Sequence, residues 1–296
     1  MEPSSNDLSS WISRRSESVD WVTASRVAAW NATLDRDDPF PADGDAAPPL
    51  FHFALFPPLV RQSALGPDGH ARRGGFLPPV PLPRRMWAGG RFRFRAPLRV
   101  GERVELVSVI ERVEEKRGRS GPLVFVTVRH AISGAGGLCL EEEQDLVYRD
   151  APRPGEATPA AMEAAPAAPS APWQRQIAPD DVLLFRYSAL MFNAHRIHYD
   201  RRYATEVEGY PGLVVHGPLL ATLLVDLVRR QLPDAALESF HFTALRPLFD
   251  VAPFAICGEP APDGRRVRLW AADASGAIAM EAEATVTRAQ LRTRTR

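Results

Sequence analysis

From Pro218 to Val228 the chain reads Pro-Leu-Leu-Ala-Thr-Leu-Leu-Val-Asp-Leu-Val, a helical segment apolar on almost every side, preceded by Gly217 and opened by a proline at the tolerated first helical position. A helix without a polar face must be enclosed. No stretch of the chain reaches the ~18 uninterrupted apolar residues that would let a bilayer enclose it. The cover must come from protein, most naturally from the concave face of a curved antiparallel sheet.

Strands to build that sheet are written twice. Arg95-Ala96-Pro97-Leu98-Arg99-Val100 and Leu245-Arg246-Pro247-Leu248-Phe249-Asp250-Val251 stand 150 positions apart, and each opens a β-rich region. After the first, Arg103–Val113, Leu123–Ile132 and Leu138–Tyr148 show the alternation of antiparallel strands, with a turn at Gly118–Pro122. After the second come Val251–Cys257, Val267–Ala271 and Ile278–Thr287, with turns at Pro262-Asp263-Gly264 and Ala274-Ser275-Gly276. Helical signals precede both sets, at Asp20–Leu34 and Asp180–Phe192. The expectation is α+β, a double hot-dog: two units, each a curved antiparallel sheet wrapped around a helix. The first unit spans residues 1–150 and the second 173–296. Between them, residues 151–172 carry six prolines alternating with alanine and read as an extended linker.

Charge excludes several roles. Lysines and arginines equal aspartates and glutamates at 36 each, so the field that draws a protein to nucleic acid or to an anionic membrane is missing. The first twenty residues hold no continuous apolar run, and a cytoplasmic location is expected. Cys139 and Cys257, far apart in strand-like sequence, read as small buried hydrophobes.

Chemistry concentrates in one place. Three of the seven histidines, His195, His198 and His216, lie within Asn193–Asp200 and Pro211–Pro218, just before the apolar helix. His195 and His198, three apart with His216 nearby, could hold a metal, but HExxH and a fourth well-placed ligand are missing, so no metal is expected. No nucleophile elbow, Walker loop or dinucleotide fingerprint occurs.

The run Asn193-Ala194-His195-Arg196-Ile197-His198-Tyr199-Asp200 resembles the D-x-N-P-x-H-x-D motif of MaoC-type (R)-specific enoyl-CoA hydratases. Met86-Trp87-Ala88-Gly89-Gly90, Glu143–Arg149 and Val215-His216-Gly217 extend the likeness to a double hot-dog subgroup that includes mitochondrial-type 3-hydroxyacyl-thioester dehydratases and itaconyl-CoA and mesaconyl-CoA hydratases. The resemblance implies reversible hydration of a 2-enoyl thioester and places His198 on the catalytic histidine. It also exposes a departure, because Asn193 stands where the family has aspartate, and His195 where it has asparagine. An amide takes no proton near neutral pH, so His198 must be base and acid, with Asn193 orienting the attacking water through its carbonyl and amide. The Gly217 N–H, at the positive end of the apolar helix, is the expected donor to the thioester oxygen. His195, Trp87, Tyr187 and His216 are the expected substrate contacts, and Asp200 a local cap.

The first unit lacks a copy of this constellation, His52 being the nearest residue at the 150-position offset, and its expected role is to line the acyl pocket with Phe51, Phe56, Phe76 and Trp87. The segment Phe76–Pro83 reads either as a loop over that pocket or as a surface connection, the second being favoured. Arg84, Arg85, Arg229 and Arg230 are the candidates for coenzyme A phosphates. No cofactor is expected, coenzyme A entering only as part of the substrate. The favoured substrate is a short branched dicarboxylic acyl-CoA such as itaconyl-CoA or mesaconyl-CoA. A 3-hydroxyacyl-thioester dehydratase of fatty-acid metabolism and a non-catalytic thioester-binding module are the alternatives. A chain with two units already holds the pair that single-unit relatives obtain by dimerising, which leaves monomer and homodimer both open.

Overall fold

Ten strands join edge to edge in one antiparallel sheet, whose halves meet at a single pair of central strands. The computed structural model describes residues 7–118, 121–150 and 170–287; residues 119 and 120 of the expected turn and 151–169 of the expected linker lie outside the described residues. The first half consists of β1 (Arg15–Trp21), α1 (Ala24–Thr33), β2 (Arg84–Phe94), β3 (Arg103–Gly118), β4 (Gly121–Gly134) and β5 (Gly137–Arg149). The second consists of β6 (Trp173–Ile177), α2 (Asp181–Leu190), α3 (Gly217–Gln231), β7 (Leu237–Ala244), β8 (Phe254–Pro260), β9 (Arg266–Ala272) and β10 (Ile278–Val286). Across the sheet the order is β1-β3-β4-β5-β2-β7-β10-β9-β8-β6. Each half therefore repeats the other about the β2–β7 junction. Arg91 pairs directly with His241, its own equivalent 150 positions on, so the local two-fold axis passes through that pair.

The first expected helix starts later than Asp20, and the second where Asp180 placed it, because side-chain caps fix both starts. Thr23 Oγ1 accepts from Arg26 N–H at 3.3 Å, so α1 begins at Ala24 and the preceding residues form the edge strand β1. Asp180 Oδ1 accepts from Leu183 N–H at 2.8 Å and starts α2 at the equivalent place. α3 is enclosed as expected: every residue from Leu219 to Val228 is buried, packed on β6, β8, β9 and β10. The one charge within that buried stretch, Asp226, is 1% exposed and is held by Arg230 at 2.7 Å, Arg36 at 2.9 Å and Arg175 at 3.2 Å.

The first half keeps the hot-dog sheet but not a long helix within it. Ala47 N–H donates to Leu98 carbonyl and Val215 N–H to Leu248 carbonyl, both at 2.8 Å, which marks Ala47 and Val215 as equivalent positions. Beyond Val215 comes α3; beyond Ala47 come only two short 3-10 turns, Phe51–Ala54 and Gln62–Ala64, and of these the first stands nearer Ala47. Proline pairs at 48–49 and 57–58 confine that turn. They remove backbone donors and bar the residue before them from right-handed helical geometry; Phe56, before Pro57, sits in the left-handed region at φ 54°. The inner face of the first half is covered instead by the segment expected to be a surface connection. Val80 and Leu82 are buried in a cluster with Ile110, Val124, Leu146 and Tyr148, and the Arg73 guanidinium donates to the Val80 carbonyl and, at 2.7 Å, to that of Pro83. Cys139 and Cys257 are both buried and unpaired. Among the described residues no helix is long and apolar enough to cross a membrane.

Candidate active site

Past the end of α2 the chain reverses at Phe192, which sits in the left-handed region at φ 51°. Asn193 N–H then donates to Ser188 carbonyl at 2.8 Å, and Asn193 Oδ1 accepts from His195 N–H at 3.0 Å. This Asx turn leads into one 3-10 turn, Arg196–His198. Asp200 closes it, accepting from Tyr203 N–H at 3.0 Å and from the Arg196 guanidinium at 2.8 Å, as a local cap should. The carbonyl expected to orient water is thus committed to the backbone, and the side-chain NH2 of Asn193 is what remains for a ligand.

His198 is buried and tied to the chain segment that leads into α3. Its Nδ1 lies 2.7 Å from the Val214 carbonyl, while Val214 N–H donates to Ile197 carbonyl at 2.9 Å. A carbonyl only accepts, so Nδ1 carries the proton and Nε2 keeps its lone pair. Burial pushes the His198 pKa down to about 4, partly offset by the bond to Val214. His198 is therefore a neutral imidazole across the neutral range.

Two expected substrate contacts lie behind His198 instead. His216 has no exposed surface, stacks on His198 with centroids 3.8 Å apart, and meets Ser188 Oγ through Nε2 at 2.8 Å. Tyr187 is also wholly buried, edge-on to His216 at 5.2 Å, with its hydroxyl 3.0 Å from Thr222 Oγ1. Both are spent on packing that fixes the His198 ring. Gly217 stands where expected. The helical ladder starts with Leu220 N–H on His216 carbonyl at 3.1 Å, and Pro218 has no N–H, so the Gly217 N–H is open at the helix N-terminus. A Cβ at Gly217 would meet no atom within 4 Å, so the backbone there faces free space.

A hairpin of the first half, which sequence reasoning passed over, completes the surroundings. Gly66 N–H donates to His70 carbonyl at 2.7 Å, and Leu65 bridges Ala71. The tip docks on the 191–200 loop: Arg196 N–H donates to Asp68 carbonyl at 2.9 Å and its guanidinium to Pro67 carbonyl at 3.0 Å. Contact at Gly69, with φ 90°, is so close that a Cβ would fall 1.8 Å from the Ala194 oxygen. His70 thereby lies against His195, centroids 4.0 Å apart, and His195 meets His198 edge-on at 5.4 Å. Asp68 accepts from His70 twice, from Nδ1 at 3.1 Å and from N–H at 3.0 Å. Burial lowers the pKa of His70, with Asp68 opposing, and pushes that of His195 to about 2. Asp68, His70 and His195 bring one ligand atom each to within 4.8 Å of the others, the one group among the described residues with metal-binding geometry. The hydrogen bonds between Asp68 and His70, and the contact of the His70 and His195 rings, are what bring the three together. A Gly-Pro-Asp-Gly-His turn was visible in the sequence, but nothing local tied it to His195.

Of the four arginines considered for phosphates, three are engaged. Arg84 meets Glu208 at 3.2 Å, and Arg229 and Arg230 meet Asp226 and Asp38. Arg85, half-buried opposite Tyr148 on β2, has no carboxylate in ion-pair reach among the described residues, and its charge helps to depress both His70 and His195. Trp87 donates its Nε1–H to Gly89 carbonyl at 2.7 Å and packs on Phe53 and Phe242 at the junction of the halves. Phe51 is core, against Trp30, and His52 pairs with buried Glu142 at 3.1 Å. A groove of about 480 Å³ between α1 and α2 ends at Phe192, beside Asn193, with Arg26 and Arg186 on its walls. A second, apolar cavity of about 550 Å³ lies toward the C-terminal part of α3, lined by Val225, Val228 and Leu232, and includes none of the 193–198 residues.

Residues 50–250 match the family model for hydroxyacyl-thioester dehydratase type 2. The chain is 47% identical to the mesaconyl-C(4)-CoA hydratase of Chloroflexus aurantiacus over 94% of its length and 98% of that protein's. It is 32% identical to the mitochondrial hydroxyacyl-thioester dehydratase type 2 of Schizosaccharomyces pombe over 71% of its length and 76% of that protein's. In fold it is similar to a Mycobacterium tuberculosis protein described as a double hotdog, with a TM-score of 0.57 and 14% identity over 93% of this chain and 96% of the other.

Proposed function

The chain belongs to the hydroxyacyl-thioester dehydratase type 2 family, and on that premise we propose that it is a hydro-lyase adding water reversibly to a mesaconyl-type dicarboxylic acyl-CoA. The observation that carries the chemistry is the fixed tautomer of His198. With Nδ1–H held by Val214, Nε2 is an unprotonated base in a site where burial keeps it so. In hydration, Nε2 takes a proton from water, the water oxygen bonds to the carbon β to the thioester, and the π electrons move to the thioester oxygen. The Gly217 N–H, at the positive end of α3, faces the open space where that oxygen would carry its charge. The proton on His198 then passes to the carbon α to the thioester, which restores the base. The Asn193 NH2 is left to hold the water.

Arg85 supports the dicarboxylic class. In a mesaconyl thioester joined through C4, the carbon that receives hydroxide also bears the methyl group and the free carboxylate. A desolvated carboxylate needs a cation close to the reacting carbon. Arg85 is a half-buried guanidinium beside the histidine cluster that no carboxylate of the described chain neutralises. The groove ending at Phe192 offers a path for the coenzyme A arm, with Arg186 for its phosphates, Arg26 being held by Asp20 at 2.8 Å.

The test is loss of enoyl-thioester absorbance with mesaconyl-CoA, itaconyl-CoA and crotonyl-CoA side by side. Mesaconyl-CoA should be consumed fastest, and His198→Ala should lose at least ~10²-fold in turnover. Preference for crotonyl-CoA would favour the fatty-acid dehydratase reading, and silence on all three would reject short-chain CoA hydration.

A further inference from the structure

His198 must carry a positive charge midway through the reaction, yet its own half offers that charge little support. Its one hydrogen-bond partner is a neutral carbonyl, His216 lies flat against it and His195 stands edge-on. Residue 193 is an amide, and Asp200 is occupied by Arg196 and Tyr203. The carboxylate at this cluster comes from the other half of the molecule. Asp68 reaches it on the docked hairpin, through His70 and then His195.

We propose that Asp68 and His70 are positioning residues for His198. The pair fixes His195 against the His198 ring and brings the negative charge that steadies the imidazolium formed there. The inference rests on the hydratase reading of the site. Three features of the hairpin support it. The tip is held by two hydrogen bonds to Arg196, so it is part of the site's frame. Gly69 lets the backbones approach more closely than any side chain would permit, an arrangement that brings Asp68 and His70 in and serves no core packing. Both oxygens of Asp68 are aimed at His70, which holds Nδ1 protonated and turns Nε2 away from the carboxylate.

The experiment measures kcat and KM for mesaconyl-CoA hydration in the full chain and in Asp68→Asn, His70→Ala and the double variant. Each single change should lower kcat about 30- to 100-fold with KM within about threefold, and the double should be no worse than the poorer single, as expected for residues acting as a unit. Unchanged kcat, or a loss confined to KM, would overturn the proposal. A readout without substrate separates it from the functional reading: 15N imidazole spectra of the wild type and Asp68→Asn. Release of His70 from its Nδ1–H form should carry with it shifts at His195 and His198. If those two stay in place, Asp68 and His70 do not order the cluster, whatever the enzyme turns over. If instead the wild type hydrates none of the thioesters, the functional reading fails while the spectra still decide the coupling.

Discussion

His198 and His216 lie face to face, ring centroids 3.8 Å apart and 17° from parallel. Neither ring can take a proton without placing charge against the other, and burial disfavours the charged form of both.

A pH dependence of stability follows. The folded-state pKa of His198, about 4, lies below its ordinary 6.5, so the unfolded chain binds more protons in between. The His198 contribution is complete above about 6.5, falls as pH drops toward 4, and levels off below that. The share from His198 is about 3 kcal/mol, and His195 and His216 act in the same direction. Urea unfolding across this range should show the decline, and His198→Gln should make it shallower, leaving the part due to His195 and His216. A midpoint independent of pH between 7 and 4 would contradict the neutral-imidazole cluster.

Gly217→Ala separates folding from function. The added methyl finds open space and improves helix propensity, so the melting temperature should hold or rise slightly. Substrate needs that same space, and kcat/KM should fall by about tenfold or more, since a misplaced oxygen loses its donor. Unaltered kinetics would move the thioester oxygen away from Gly217.

Arg85→Met should act on one substrate and spare another. Hydration of mesaconyl-CoA should drop by about 10²-fold or more, since the free carboxylate loses a charge-assisted partner, while any activity on crotonyl-CoA should persist. Equal losses on both thioesters would show Arg85 acting on the site rather than on the carboxylate.

Asp226→Asn tests the charge cluster at the far end of α3. The carboxylate, 1% exposed, neutralises Arg36, Arg175 and Arg230, and these would be left facing one another. A destabilisation of about 3 kcal/mol is expected, read by denaturant unfolding, with the kinetics of the folded fraction unchanged.

α3 and the meanders were legible because burial writes itself into sequence as composition and period. A helix apolar all round and strands alternating along Leu123–Ile132 leave few alternatives. β2 escaped notice because Gly89-Gly90 interrupts the alternation that Arg91-Phe92-Arg93-Phe94 carries on, and β1 and β6 because edge strands carry exposed side chains. His198 was found through the resemblance of Asn193–Asp200 to the hydratase motif. Its partner could not be, since the Val214 carbonyl is backbone and every residue has one. The Asp68–His70 hairpin was missed for a different reason. Its proximity to His195 is created by the β2–β7 junction, which brings together residues more than a hundred positions apart, and no local pattern encodes that.

The direct pairing of Arg91 with His241 at the centre of the sheet has a consequence for how such a site can change. In an assembly of two identical chains, every substitution is made twice, and a loop that helps one site is imposed on its mirror image. Here the mirror copies are written separately in one chain. One copy could shed its long helix and its histidine loop while the other kept both, and the copy that shed them could grow the hairpin that now reaches across. Covalent linkage turned a symmetric pair into a catalyst and its scaffold, each free to be altered alone.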